Sequence, residues 1–186
     1  MKIAILGWGS LIWDRRPEFD DQHGEWCFDG PKLKLEFSRI SKTRGGALTL
    51  VIDDENGSPC RVAYALSKRR NPDDTICDLR SREGTILSRI GYYFADGSRQ
   101  CEPHTPNTVI EWAAKKGLDV VVWTGLSSNF EKETSNPFCI GGAKTYLQGL
   151  TPEGKSEAAK YINNAPAFVD TPLRRAFQDE CWIPEN

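Results

Sequence analysis

A glutamate near the middle of the chain is the residue best suited to acid–base chemistry. Glu83 follows two apolar residues, Ile76 and Leu79, by seven and four positions, within a stretch that has a helical pattern. At about 100° per residue these side chains share one face of a helix, which should point inward. Desolvation raises the pKa of a carboxylate and makes it a better proton acceptor at neutral pH. Glu83 is therefore a candidate general acid–base.

Two structural interpretations of Glu83 stay open from the residues alone. The helix can end before Glu83, so that the carboxylate turns into water, or the carboxylate can pair with Arg80 or Arg82. An acid on a core-facing stripe costs free energy unless it is paired or functional. The environment of this side chain therefore separates the three interpretations.

The first predicted strand ends in the corner "GWGSLIW", residues 7–13. Its two glycines permit positive φ and close approach, and successive backbone N–H groups in such a corner can form a concavity that favours anions. Ser10 adds a hydroxyl, and Trp8 and Trp13 can wall the site. The stretch lacks the third glycine of a dinucleotide fingerprint and the last glycine of a nucleophile elbow. The alternative is an ordinary tight turn beside a core tryptophan.

Cysteine and histidine give weaker signals. The two histidines, His23 and His104, lie in turn-like stretches and are expected to face solvent. No cysteine lies at a predicted helix start or in a basic context that would lower its pKa, so a cysteine-dependent enzyme is the weakest of the classes considered. The widely spaced cysteines predict free thiols and no metal site. The cysteines are Cys27, Cys60, Cys77, Cys101, Cys139 and Cys181.

Strands dominate the first third of the chain. Apolar runs or alternating patterns predict strands at residues 2–6, 32–41, 47–54 and 60–67, and Asn56-Gly57 predicts a hairpin between the last two. Alternation in the second strand sets Lys34 and Glu36 on the face opposite Leu33, Leu35 and Phe37.

Helices and one further strand follow. Asn71 as N-cap, Pro72 at the first helical position and Gly84 as a stop predict one helix. A capping box of Thr108 with Glu111 predicts a second helix, ending at Gly117, and residues 119–125 form a strand. Thr151-Pro152 and Thr171-Pro172 start two more helices. The order predicts an α+β fold, with a strongly curved sheet or small mixed β-barrel flanked by helices.

Composition bounds the class of protein. The 186 residues predict a single domain, residues 1–186, whose part from about residue 150 is a helical extension. The formal net charge is −2 without a basic tract, so we predict no nucleic-acid partner. No apolar run approaches the roughly 20 residues of a membrane helix, and the first residues do not resemble a secretory signal. We expect a cytoplasmic protein without a membrane partner; the oligomeric state stays open.

Four segments in the first half of the chain together resemble the γ-glutamylcyclotransferase superfamily, particularly its ChaC-like branch. "GWGSLIW" is similar to the "GYGSLIW" signature, and "SKTRGG" to a serine-x-x-Arg-Gly segment. "GSPCRVAYAL" resembles the strand that leads into the helix, and "LRSREG" the stretch that bears the catalytic glutamate. The order and spacing of the segments carry the resemblance, which extends to about Gly91.

The resemblance implies a small β-barrel with helices around it and an enzyme that cleaves γ-glutamyl amides, possible substrates including glutathione, to 5-oxoproline and a free amine. It implies that Glu83 is the catalytic acid–base and that neither a metal nor a cofactor takes part. Trp8 stands where the family has tyrosine, which keeps the bulk and loses a hydroxyl. That change, with the unmatched second half, favours the alternative of a non-catalytic binding module. The implied substrate-binding residues are Gly7, Trp8, Gly9, Ser10, Leu11 and, from its position and charge, Arg44.

Overall fold

The structure, a computed structural model, describes residues 1–99 and 105–180. Cys101, His104 and Cys181 lie outside the described residues. The α+β prediction is confirmed, since the described residues form seven strands and eight α-helices. The strands are β1 (Ile3–Gly7), β2 (Lys32–Ser41), β3 (Ala47–Ile52), β4 (Ser58–Arg61), β5 (Ala63–Leu66), β6 (Ile90–Phe94) and β7 (Val120–Thr124). The helices are α1 (Ser10–Trp13), α2 (Pro17–Asp20), α3 (Pro72–Glu83), α4 (Asn107–Lys116), α5 (Phe130–Thr134), α6 (Ile140–Gln148), α7 (Pro152–Asn163) and α8 (Pro172–Glu180).

A four-stranded mixed sheet has the order β5-β1-β7-β6. β1 pairs antiparallel with β5 and parallel with β7, and β7 pairs antiparallel with β6. β1 is buried along its whole length, because it lies in the middle of the sheet and its residues are almost all apolar. The core beside this sheet includes Leu11 after β1, Phe19 of α2, and Ile76 and Leu79 of α3. The corner and α3 are therefore packed into one core.

A three-stranded sheet has the order β3-β2-β4. The bounds predicted for β2 are confirmed, but the predicted hairpin between β3 and β4 is wrong, because both strands pair with β2 and not with each other. The loop between them crosses β2: a Cβ on Gly57 would lie 2.8 Å from the backbone nitrogen of Leu35. Asp53 shapes this loop, since its carboxylate accepts hydrogen bonds from the backbone N–H groups of Glu55 and Asn56.

Local capping signals were good predictors of helix ends. The side chain of Asn71 accepts a hydrogen bond at the start of α3, and that of Thr151 does so at the start of α7. Gly84 and Gly117 adopt the left-handed conformation after α3 and α4, as their stop signals predicted. The Thr108–Glu111 capping box is wrong, because α4 begins one residue earlier and Pro106, which has no side-chain oxygen, is its N-cap.

The described residues form two compact units, each built from separate chain segments. The first comprises residues 1–33, 61–99 and 105–126 and contains the four-stranded sheet; the second comprises residues 34–60 and 127–180. The seven described strands do not form a closed barrel, so the predicted barrel stays a prediction. None of the helices in the described ranges has both the length and the apolar character that crossing a bilayer requires.

Candidate functional site

Glu83 is the last residue of α3 and is half-buried. The helix therefore does not end before Glu83, and that interpretation is wrong. Gly84 ends the helix in the left-handed conformation, with φ of 57°. The fully buried face of α3 carries Thr75, Ile76, Leu79 and Arg82. Glu83 thus lies at the border of the buried face of α3, and the residue before it in sequence, Arg82, is buried.

Arg82 links the end of α3 to the corner. Its side chain is only 3% exposed. One terminal nitrogen donates to the backbone carbonyl of Ser10 at 3.0 Å and to that of Asp14 at 2.7 Å. Burial lowers the pKa of the Arg82 guanidinium, and the negative charge of Glu83 opposes that shift. Arg82 is therefore a charged neighbour of both Glu83 and the corner, and it donates to the carbonyls of Ser10 and Asp14.

From the sequence, Arg82 is predicted only as a possible ion-pair partner of Glu83, not as a buried residue. The pattern that predicts its burial is the spacing of Thr75, Leu79 and Arg82, at i, i+4 and i+7, which places all three on one helix face. A charged residue at the last of these positions breaks the apolar pattern. Buried charges need partners, and these come from residues 68 or more positions earlier in the chain.

The corner is a packed helical turn. After β1 ends at Gly7, α1 begins, and the N–H of Ile12 donates to the carbonyl of Gly9 at 3.0 Å. Neither glycine uses the positive φ that glycine permits: Gly9 has φ of −141°, and Gly7 is extended in β1. Close approach is confirmed at Gly7, where a Cβ would lie 2.7 Å from ring atoms of Trp26.

The apolar residues of the corner face the core. Trp8 and Leu11 are buried, at 5% and 7% exposure, and Ser10 is half-buried. The interpretation of Trp8 as a core tryptophan is thus confirmed. Gly7 and Gly9 are buried as well, so the corner presents to a small molecule only its half-buried residues, which are Ser10, Ile12 and Trp13.

Arg44 lies in the second unit, whereas Glu83 and the corner lie in the first. It ends a 3₁₀ turn, Lys42–Arg44, and its guanidinium lies 5.2 Å from the centre of the Tyr161 ring. A cation over an aromatic face is a stabilising arrangement in itself. The structure thus brings together Glu83 and residues 7–11 within one unit, and it gives Arg44 an aromatic contact in the other.

A cavity of about 440 Å³ adjoins the corner within the first unit. Ile12 lines it, and so does Trp26, the residue that packs on Gly7. Glu83 is not among the described residues that line it. The remaining lining residues are Arg15, Asp20, Asp21, His23, Gly24, Glu25 and Lys68.

His23 lines this cavity and is buried, so the prediction that it faces solvent is wrong. Its ring lies between those of Phe19 and Trp26, with 5.0 Å between centroids in each case. A β-bridge between His23 and Ser67 explains why a turn-like stretch becomes internal. The aromatic residues at i−4 and i+3 were the available signal in the sequence.

Glu36, in the second unit, is fully buried. The alternating pattern predicted that it lies on the face of β2 opposite the apolar residues, but that face is buried too at Glu36. β2 is buried on both faces from Leu35 to Ser38, and its register shifts between Glu36 and Arg39. The carboxylate accepts hydrogen bonds from the N–H of Phe37 at 2.7 Å and from the N–H of Leu173 at 3.2 Å. Desolvation raises its pKa, and these hydrogen bonds oppose the shift. Glu36 therefore anchors the start of α8 to β2.

The described cysteines are Cys27, Cys60, Cys77 and Cys139, and all four are free thiols. One expectation is wrong: Cys139 does lie at a helix start, because it is the N-cap of α6 and its Sγ accepts a hydrogen bond from the N–H of Gly142. Across residues 1–99 and 105–180, no three histidine, cysteine or acidic side chains form a group suited to a metal ion.

Comparison of the chain with protein-family models, with curated proteins and with solved structures found no match.

Proposed function

We propose that the chain is a γ-glutamyl cyclotransferase-like enzyme, which converts a small γ-glutamyl amide or peptide to 5-oxoproline and a free amine. The observation that carries the proposal is the placement of Glu83. It is half-buried at the end of α3, next to the buried Arg82, which donates to the carbonyl of Ser10 in the corner and to that of Asp14 just after it. The resemblance of the four sequence segments supplies the reaction. The resemblance also implies the small β-barrel architecture, and the cysteine pattern favours a cytoplasmic location.

The proposed reaction is an intramolecular aminolysis. The α-amine of the substrate attacks its own γ-carbonyl, a five-membered ring closes, and the bond to the departing amine breaks. A free α-amine titrates near pH 8, so part of it is protonated at neutral pH and cannot attack. Glu83 takes the proton from the α-amine and delivers it to the departing nitrogen.

The protein supplies position and electrostatics in this scheme. Holding a substrate in a folded conformation supplies a proximity term that is worth about 7–11 kcal/mol in well-oriented intramolecular reactions. Backbone N–H groups of the corner would stabilise the developing oxyanion. Neither step requires a covalent intermediate on the protein or a metal.

Release of 5-oxoproline tests the proposal. A panel of γ-glutamyl compounds, including glutathione, is incubated with the wild-type chain, with Glu83→Gln and with Glu111→Gln, and the product is quantified by mass spectrometry. Glu111 is an exposed glutamate of α4 and provides the matched control. General acid–base catalysis contributes typically 10²–10⁴-fold, so we expect Glu83→Gln to lose about 100-fold or more while the control keeps its rate. No release by the wild type, or equal rates for Glu83→Gln, would contradict the proposal.

The cavity beside the corner favours a second candidate, a binding module without turnover. Its lining contains Ile12 of the corner but not Glu83. This candidate predicts that a ligand raises the melting temperature while the ligand itself is recovered unchanged. Turnover of any panel member at a rate that depends on Glu83 would reject it.

A further inference from the structure

The hydrogen bonding of His23 determines which ring nitrogen carries its proton. Nδ1 lies 2.6 Å from the backbone carbonyl oxygen of Gly24. A carbonyl oxygen only accepts, so Nδ1 must be the donor. In the neutral ring Nε2 then carries the lone pair and acts as an acceptor.

The environment of Nε2 does not satisfy it. Among the described residues this buried atom has no hydrogen-bond partner, although the His23 side chain is 95% buried, its exposed fraction being 5%. An oxygen of the Asp20 carboxylate lies 3.6 Å away, beyond hydrogen-bond distance. The other oxygen of that carboxylate accepts from the backbone N–H of Arg16 at 2.9 Å, which holds Asp20 in place. With a neutral ring, two acceptors thus face each other at the wall of a cavity.

A donor with two hydrogens on one nitrogen resolves this arrangement. A nitrogen at about 2.8–2.9 Å from both atoms can donate to Nε2 and to the carboxylate together. An ammonium ion has such hydrogens and a charge that complements Asp20. Three carboxylates and two cations line the cavity, and the Trp26 ring provides an aromatic wall, on which organic cations bind well.

We propose that this cavity binds a small organic primary amine as its ammonium ion, held between His23 Nε2 and Asp20 with its hydrocarbon part against Trp26. The site is independent of the reaction proposed for Glu83, because Glu83 is not among the described residues that line it. The binding is reversible and involves no covalent step.

Nitrogen NMR of the full-length chain tests the site. The chain has two histidines, so ¹⁵N-histidine labelling gives few signals, and the His23→Gln variant assigns them. The free protein should show a neutral His23 with Nδ1 protonated. Adding n-butylammonium chloride should shift the Nε2 resonance with saturation. Tetramethylammonium, which has no N–H donor, should bind at least ten-fold more weakly, and butyrate should leave the resonance unchanged.

Variants locate the second partner. Asp20→Asn should weaken n-butylammonium binding at least ten-fold, while Asp54→Asn, an exposed carboxylate of the second unit, should not change it. Circular dichroism melts establish whether both variants are folded. The titrations of the wild-type chain test the proposal even if a variant does not fold.

Four results would overturn the proposal. The first is a His23 that is protonated on both nitrogens in the free protein, and the second is an equal shift of the Nε2 resonance with n-butylammonium and with tetramethylammonium. The third is a shift with zinc or magnesium chloride but not with the amine. The fourth is no shift with the amine at tens of millimolar. Turnover of γ-glutamyl compounds, present or absent, has no bearing on these signals, so the two proposals fail separately.

Discussion

Arg82 shows how one buried charge can organise a site. Its guanidinium is removed from water, and one terminal nitrogen donates to the carbonyls of Ser10 and Asp14, with the Asp14 carboxylate 3.6 Å away. Those carbonyls lie in and just after the short helix α1, and the carbonyl of Ser10 also accepts from the backbone N–H of Asp14 at 2.9 Å. Arg82 therefore stabilises the corner, and Glu83 is the next residue in the chain.

Replacing Arg82 by methionine should destabilise the protein. Methionine keeps most of the apolar length but removes the hydrogen bonds to both carbonyls. The carbonyl of Ser10 then keeps only its bond from the backbone N–H of Asp14. Hydrogen bonds that involve a charged group contribute roughly 1.5–3 kcal/mol, so we expect a loss of about that size in the free energy of unfolding. Urea unfolding measures it. Arg80→Met, at a half-buried position of the same helix, is the control and should change stability much less; equal losses in the two variants would remove the special role of Arg82.

At the scale of elements, glycine has different roles at a helix end and within a helix. Gly84 ends α3 with φ of 57°, a conformation that side chains other than glycine rarely adopt. Gly141 is in the first turn of α6, without a positive φ, and a Cβ there would meet no atom within 4 Å. The same substitution should therefore have opposite effects at the two positions.

Gly84→Ala should lower the free energy of unfolding by about 1 kcal/mol, because alanine is strained in the left-handed region. Gly141→Ala should raise it by about 0.4–1 kcal/mol, because alanine loses less backbone entropy on folding. Thermal and urea unfolding of the two single variants measure the sign of the change in unfolding free energy at each position. A loss at Gly141, or no loss at Gly84, would show that the helix-end conformations are not as described.

At the scale of the whole molecule, each compact unit combines segments distant in sequence. Glu36 illustrates the consequence in the second unit, because its carboxylate joins β2 to the start of α8, which is 137 residues away at Leu173. Desolvation raises its pKa above the ordinary value of 4.5, and the charge of Asp53 adds to the shift. The folded protein therefore retains a proton on Glu36 at pH values where the unfolded chain has released it.

This difference predicts the pH dependence of stability. Where the folded state binds more protons than the unfolded state, stability falls as pH rises. The Glu36 contribution should thus be most favourable below about pH 4.5 and decline as pH rises from there through the raised pKa of the folded state. The difference in unfolding free energy, wild type minus Glu36→Gln, should decrease from pH 4 to pH 7.

Urea unfolding at intervals across that range gives the difference directly. Glu55→Gln removes one negative charge from an exposed position of the same unit and serves as the matched control. A wild-type advantage that grows with pH would contradict the raised pKa.

The sequence by itself determined the elements whose signals are local. The bounds of β2, the caps at Asn71 and Thr151 and the stop at Gly84 were predicted correctly, because hydrophobic periodicity and capping involve only near neighbours in the chain. Ile76 and Leu79 of α3 face the core as their spacing predicted, whereas Glu83, which was predicted on the same face, is half-buried. The reaction proposed for Glu83 depends on a resemblance of segments and stays a prediction.

Only the tertiary structure decided the partners of those elements. The order β3-β2-β4, the burial of His23 and Glu36, and the bonds of Arg82 to the corner join residues that are far apart in sequence. A polar side chain has the same local signal whether it ends in water or in the core, and what differs is the partner that satisfies it after folding. That partner is set by packing over the whole unit, which local patterns do not encode.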